Sequence, residues 1–206
     1  MGKREVLGPY KADGLTVVLT YMNHKLEDSV TSGNGIVGER ILAQASEIIN
    51  VPHFIDEPGE VIIRGEAVIL SNMFEVINES LPEGAEKYKT CRNLASGTIR
   101  NLDLSVVRNR KMHLFAFEVQ KSGDQEFQTD SEERAWLEKQ GFDLVPYEVL
   151  HTANDIRQYV KKLGDLRESG TMLFDTDGAV FKLNDKQLCK KSGTTAKYPR
   201  YSLAFK

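Results

Sequence analysis

Lys11-Ala-Asp-Gly14 stands directly before an alternating apolar run, Leu15 to Tyr21, which puts a lysine amine, a carboxylate and a glycine together at the mouth of a strand. An amine is a nucleophile only when uncharged, and lysine is protonated near neutral pH. Attack therefore needs a lowered pKa or removal of the proton during approach. Asp13 either anchors backbone donors or orients Lys11, and Gly14 permits close approach of a ligand. Further groups follow in Glu60-Val-Ile-Ile-Arg-Gly-Glu66, Arg92-Asn-Leu-Ala-Ser-Gly-Thr-Ile-Arg100, Asp177-Gly-Ala-Val-Phe-Lys182 and Ala196-Lys-Tyr-Pro-Arg-Tyr-Ser-Leu-Ala-Phe-Lys206. Glu66, at the end of a strand-like run, is either a surface glutamate after Gly65 or a carboxylate able to accept hydroxyl hydrogen bonds or position a hydrated cation. Arg92 and Arg100 either bind phosphate oxygens through paired donors or make structural carboxylate pairs.

These groups must be held by strands, helices and turns that the pattern also predicts. Leu15 to Tyr21 and Leu26 to Val30 read as strands joined at Asn23-His24, with Gly33, Gly35 and Gly38 leading into a helical face of Ile41, Leu42, Ala45, Ile48 and Ile49 before Pro52. A central strand is expected over Val61 to Leu70, then a short helix capped by Asn72 with Glu75 three residues on. His113 to Val119 predicts another strand. Asp130 or Ser131 would cap a helix through Ala135, Trp136 and Leu137 that Gly141 ends. Phe142 to Leu150 looks extended, with Pro146 marking an edge or break. Ile156, Tyr159, Val160 and Leu163 return to helical spacing before Gly164, and Gly178 to Leu183 pairs with a strand near Tyr201 to Phe205. The order of elements is α+β.

Forty per cent of the 206 residues are apolar and 28 per cent are charged, which suits one ordinary domain or two closely joined lobes. The opening residues lack a secretion signal, and no stretch approaches the roughly 20 apolar residues of a bilayer span, so no membrane and a cytoplasmic location are expected. Cys91 and Cys189 are far apart and lack neighbouring ligands, which argues against structural zinc and a disulfide framework. The formal charge of −3 is unevenly spread: residues 87 to 113 and 182 to 206 each carry seven positive and one negative charge. Such windows suit local phosphate contacts, or simply a solvated basic face.

Taken together, these segments resemble the nucleotidyltransferase (adenylation) domain of NAD-dependent DNA ligases over nearly the whole chain. The resemblance implies one domain over residues 1 to 206 with the nucleotidyltransferase fold of covalent DNA ligases, antiparallel sheets with flanking helices in an ATP-grasp-like arrangement. It implies that Lys11 attacks the α-phosphorus of NAD, displaces nicotinamide mononucleotide and becomes linked to AMP, which then passes to the 5′-phosphate of nicked double-stranded DNA. Lys11, Asp13, Glu66, Lys182 and Lys206 would be catalytic, with Lys182 and Lys206 at the phosphate. Lys11, Glu66, Arg92, Lys182 and Lys206 would hold the nucleotide, and Arg92, Arg100 and Arg200 the DNA. Mg²⁺ is expected to assist without a permanent protein site.

The chain departs from the family pattern at Pro9, where a glutamate is usual, and at Thr31-Ser32-Gly33-Asn34-Gly35, where Thr-Arg-Gly-Asp-Gly is usual. No counterpart is expected of the preceding nicotinamide-mononucleotide-binding domain or the following oligonucleotide-binding domain. A second chain, as in a bacteriophage split ligase, or missing flanking domains would supply those functions. Two other readings are a related ATP-using ligase or capping enzyme, and a nicked-DNA-binding module that has lost adenylylation.

Overall fold

The alternation after Gly14 has the consequence that its period of two requires: Val17, Leu19 and Tyr21 are wholly buried while the residues between them are half-buried. The computed structural model describes residues 5 to 33, 38 to 195 and 199 to 206. The expectations placed on Asn34, Gly35 and Lys197 lie outside the described residues. Along the chain run β1 (Val6–Leu7), β2 (Tyr10–Ala12), β3 (Leu15–Met22), β4 (Lys25–Thr31), α1 (Leu42–Ala45), β5 (Val61–Val68), α2 (Ser71–Glu79) and α3 (Cys91–Ile99). There follow α4 (Leu104–Asn109), β6 (His113–Ser122), α5 (Asp130–Lys139), β7 (Val149–Leu150), α6 (Ala153–Ser169), β8 (Thr176–Leu183), α7 (Lys186–Ser192) and β9 (Ser202–Phe205).

Two antiparallel sheets result. One has the order β4-β3-β5-β6, and the other has the order β2-β8-β1-β7 with β9 on the free side of β8. Asn23 and His24 both take positive φ, as a tight two-residue hairpin turn needs to match the strand twist, so β3 and β4 pair as expected. The largest core lies between the four-stranded sheet and its helices, where Leu94, Ala95 and Ile99 of α3 join Val17, Ile63 and Leu114. Tyr159 and Leu163 of α6 pack on Ala179 and Phe181 of β8. Ala12, Val68, Phe115, Val145 and Phe174 form a third cluster that takes residues from both sheets and joins them.

Several boundaries differ from expectation. The Ile41 to Ile49 segment is helical only over α1, because the Ser46 hydroxyl takes the Leu42 carbonyl and the Ile49 amide donates to Met112 instead of continuing the helix. Asn72 lies inside α2, whose N-cap is Leu70 without a side-chain bond. Thr129 caps α5, in a reciprocal capping box with Glu132, so neither Asp130 nor Ser131 serves that role. The α6 helix runs through Gly164 and stops at Gly170 in the left-handed conformation. Between Phe142 and Leu150 only β7 is strand, while the Pro146 carbonyl accepts the Tyr10 amide. Among the described residues no helix is long and apolar enough to cross a membrane.

Candidate active site

Lys11 sits in the middle of β2, and the strand it pairs with carries an irregularity that decides what it meets. From Tyr10 to Ala12 the chain advances two residues, while their partners on β8, Ala179 and Thr176, are three apart. One residue of β8 is therefore extra. In an unbroken strand residues 177 and 182 would point to opposite faces; the bulge re-aims Asp177 so that it reaches Lys11 while Val180 and Lys182 line a cavity wall. Gly178 makes this possible: its φ is +143°, and a Cβ there would lie 1.9 Å from the Phe205 carbonyl oxygen.

Asp177 gathers two of the expected lysines. The Lys11 amine donates to its Oδ2 at 3.1 Å and lies 2.9 Å from Oδ1 without hydrogen-bond alignment. Lys206, at the end of β9, lies 3.1 Å from Oδ2. Burial alone would raise the Asp177 pKa, but Lys11 and Lys206 together hold it below the usual carboxylate range.

Glu66 faces the same region from β5. It stands opposite Thr16 in the β3–β5 register, accepts from the Thr16 hydroxyl at 2.8 Å and accepts from the Gly14 amide at 3.2 Å. Gly14 must be glycine for this approach, since a Cβ would come within 2.2 Å of the Ala67 carbonyl oxygen. Burial pushes the Glu66 carboxyl up despite those bonds. Arg92, in the first turn of α3, donates to Asp13 at 2.8 Å, and this bond raises the guanidinium pKa further. Asp13 thus orients an arginine, not the lysine two residues before it.

Lys11, Glu66, Arg92 and Lys182 line one cavity of about 440 Å³, closed on its apolar side by Pro9, Ala12, Val145 and Val180. That volume lies within the range of small-molecule sites. Lys182 does not join Lys11 and Lys206 on Asp177. It lies five residues along β8 from Asp177, roughly 16 Å for extended chain, and its amine is bound by the buried Asp130 carboxylate. Burial opposes the charge on Lys182, but Asp130 and then Glu133 keep its pKa raised. Of the expected lysines, Lys11 and Lys182 therefore line the cavity at separate places, and Lys206 stands outside the lining, joined to Lys11 through Asp177.

Arg100 and Arg200 do not line the cavity. Arg100 pairs with Glu39 at 2.8 Å, and exposed Arg200 sits in the turn before β9. Many charges of the two basic windows meet carboxylates from other segments, as in Arg92–Asp13, Arg108–Glu47 and Lys186–Glu133. The windows are thus far less basic in the fold than along the sequence. Asp130 and Arg134, which also belongs to the lining, were not expected there. Their signal was an acidic and a basic residue four apart on a predicted helix, hidden because Asp130 also reads as a cap.

The pattern that defines the NAD-dependent DNA ligase adenylation domain matches residues 3 to 206. The chain is 40% identical over 209 residues to the DNA ligase of Lachnoclostridium phytofermentans, covering 100% of this chain and 31% of that protein. It is 36% identical to the DNA ligase of Ruminiclostridium cellulolyticum, with 100% and 31% covered. The chain therefore spans about three-tenths of the length of these relatives. Among solved structures, an archaeal ATP-dependent RNA ligase superposes with a TM-score of 0.53 at 15% identity, covering 88% of this chain and 40% of that one. The structure titled Pmar-Lig_PreS3 superposes with a TM-score of 0.55 at 11% identity, covering 98% and 42%. At such identities the structural likeness speaks for the fold, the nucleotidyltransferase fold of covalent ligases, whereas the sequence match extends from residue 3 through Lys206. This chain belongs to the adenylation-domain family of NAD-dependent DNA ligases.

Proposed function

We propose that this domain takes AMP from NAD onto Lys11 and passes it to the 5′-phosphate of nicked DNA. The observation that carries the reading is the convergence of Lys11 and Lys206 on Asp177 beside a cavity lined by Lys11, Glu66, Arg92 and Lys182. In the first step the uncharged Lys11 amine attacks the α-phosphorus. A P–N bond forms, the P–O bond to the bridging oxygen breaks, and nicotinamide mononucleotide leaves with that electron pair. Asp177, in contact with the amine, orients it toward the phosphorus, and the proton released as the P–N bond forms passes to solvent. Lys206 places positive charge beside the five-coordinate phosphorus, where fixed charge stabilises developing negative charge better than solvent does.

Glu66 uses one acceptor site on each oxygen for Gly14 and Thr16 and keeps further lone pairs for the ribose hydroxyls. Arg92, held by Asp13, supplies a guanidinium to the sugar-phosphate portion of the ligand. Lys182 acts at the far end from Asp177, toward the nucleoside. Mg²⁺ would lower the charge on the transferring phosphate. Among the described residues no group of three or more His, Cys, Asp or Glu side chains forms a cage, and Glu66 and Asp177 suit a hydrated ion carried in with the phosphates.

Attack of a 3′-hydroxyl on the adenylylated 5′-phosphate would then join the strands and release AMP. Exposed Arg100 and Arg200 contact the duplex backbone in this reading. Recognition of the nicotinamide-mononucleotide half and closure around DNA fall to segments outside these 206 residues, in the same polypeptide or in a second one. The test offers labelled NAD and ATP separately with Mg²⁺ and then adds nicked duplex. Label transferred to protein from NAD and onward to the DNA supports the reading. Loading from ATP alone, or nick binding with no protein-linked label even when the relatives' flanking segments are supplied, refutes it.

A further inference from the structure

The end of the cavity remote from Asp177 contains a buried charged wall that the reaction steps above do not use. Because Thr129 caps α5, the Asp130 carboxylate is free to turn inward. Its Oδ1 receives Lys182, and its Oδ2 accepts from Arg134 Nε at 3.0 Å, one helical turn along. Asp130 and Arg134 are only 1% and 2% exposed. Lys186 lies 3.9 Å from Asp130 and pairs with Glu133. Three cations thus face two carboxylates, and one positive charge is left over.

The guanidinium of Arg134 has little freedom in how it meets a ligand. Its carbon lies 4.7 Å from the centroid of the Tyr147 ring, which covers one flat face. Its Nε edge is occupied by Asp130. Nη1 is buried and has no hydrogen-bond partner among the described residues, although Arg134 lines the cavity. A buried charged donor without an acceptor is unfavourable, so a small turn of the guanidinium toward a cavity occupant that brings an acceptor is favoured.

We propose that Arg134 is a base-reading residue whose Nη1–H donates to a ring-nitrogen acceptor of the adenine, with Asp130 as the positioning residue that fixes the guanidinium plane. The inference rests on the nucleotide reading of the cavity. With phosphate at the Lys11–Asp177–Lys206 end, the base of a nucleoside monophosphate extends along β8 toward Lys182 and Arg134. A guanidinium donor approaching in its own plane matches the in-plane lone pair of a purine ring nitrogen.

Calorimetric titration of the chain with AMP and with its 1-deaza, 3-deaza and 7-deaza analogues tests this directly. The wild-type chain should bind one analogue roughly 10- to 100-fold more weakly than AMP, the loss of one hydrogen bond from a charged donor. In Arg134→Leu, AMP and that analogue should bind equally, and Asp130→Asn should shrink the gap without abolishing binding. Arg134→Lys keeps the charge but loses the planar donor, so it should behave as Arg134→Leu does; circular dichroism checks that each variant folds. If all three analogues match AMP in the wild-type chain, base reading by this wall is overturned while the nucleotide site stands. The same holds if Arg134→Leu weakens AMP, every analogue and ribose 5-phosphate by one common factor, which would mark a general electrostatic role. Failure of the wild-type chain to bind AMP at all would overturn both this inference and the nucleotide reading.

Discussion

Replacing Gly178 by alanine should detach Lys206 from the site while leaving the core folded. The new Cβ would lie 1.9 Å from the Phe205 oxygen and 2.8 Å from its carbonyl carbon, so β8 and β9 must part by about 1.5 Å to reach ordinary contact. Alanine at a φ of +143° adds about 1–3 kcal/mol of backbone strain. Against this, β9 is held by four residue pairs along β8, and its apolar side chains Leu203 and Phe205 remain 66% and 46% exposed. With about 1 kcal/mol net for each hydrogen bond and little burial, the pairing is worth no more than the strain it would have to bear. The strand should open from its Phe205 end.

The expected loss of about 2 kcal/mol corresponds to a melting temperature roughly 4–8 °C lower for a chain of this size. Hydrogen exchange should show Ala204 and Phe205 amides losing protection in the native state, while the β3 and β5 amides stay protected up to global unfolding. Loading of Lys11 should fall by about 10-fold or more once Lys206 leaves the phosphate end. An intact, protected β9 in the variant would refute the steric argument. Unchanged loading with an unprotected β9 would refute the role given to Lys206.

Glu66 and the two aspartates Asp130 and Asp177 should show opposite pH signatures. The Glu66 pKa is raised by burial, so its contribution to stability is fully present below the unfolded carboxyl range and is lost as pH rises through the folded value. Glu66→Gln keeps an acceptor for the Gly14 amide and should therefore raise stability at pH 7.5 by about 0.5–1 kcal/mol in denaturant titration, with the gain vanishing at acid pH, while nucleotide loading falls. A destabilised variant at pH 7.5 would contradict this. Asp130 and Asp177 have lowered pKa values, so their contribution is present above about pH 4 and is lost as pH falls through their folded values. Thermal scans should show a decline below about pH 4 that Asp130→Asn flattens; parallel curves for the two proteins would argue against the ion-pair network.

The sequence makes local periodicity legible and leaves long-range placement obscure. The β3–β4 hairpin, the β8–β9 pair and the β5 and β6 strands follow from alternation and from the Asn23-His24 turn, because those signals lie within a few residues of one another. The helix over Cys91–Ile99 is poorly signalled, since Ser96, Gly97 and Thr98 are weak helix formers and the segment is held by Leu94, Ala95 and Ile99 in the core. Lys11, Glu66, Arg92 and Lys182 are recognisable as candidate site residues through the family resemblance of the segments that carry them, and one cavity brings them together. What spacing does not reveal is which carboxylate each cation finds. The Lys11–Asp177 contact depends on one extra residue in β8, and the Lys182–Asp130 contact joins residues 52 apart in sequence. Period-two reasoning cannot locate a bulge, and Thr129, Asp130 and Ser131 are three consecutive capping residues among which the Thr129–Glu132 capping box chooses.

Lys11 should be the residue that carries AMP. The direct measurement is peptide mapping by mass spectrometry of this domain fused to the flanking segments of its Lachnoclostridium phytofermentans relative, after incubation with NAD and Mg²⁺. A single AMP on the peptide containing Lys11, absent from the Lys11→Arg fusion, is the predicted result. AMP on any other residue, or undiminished loading of the Lys11→Arg fusion, would contradict it.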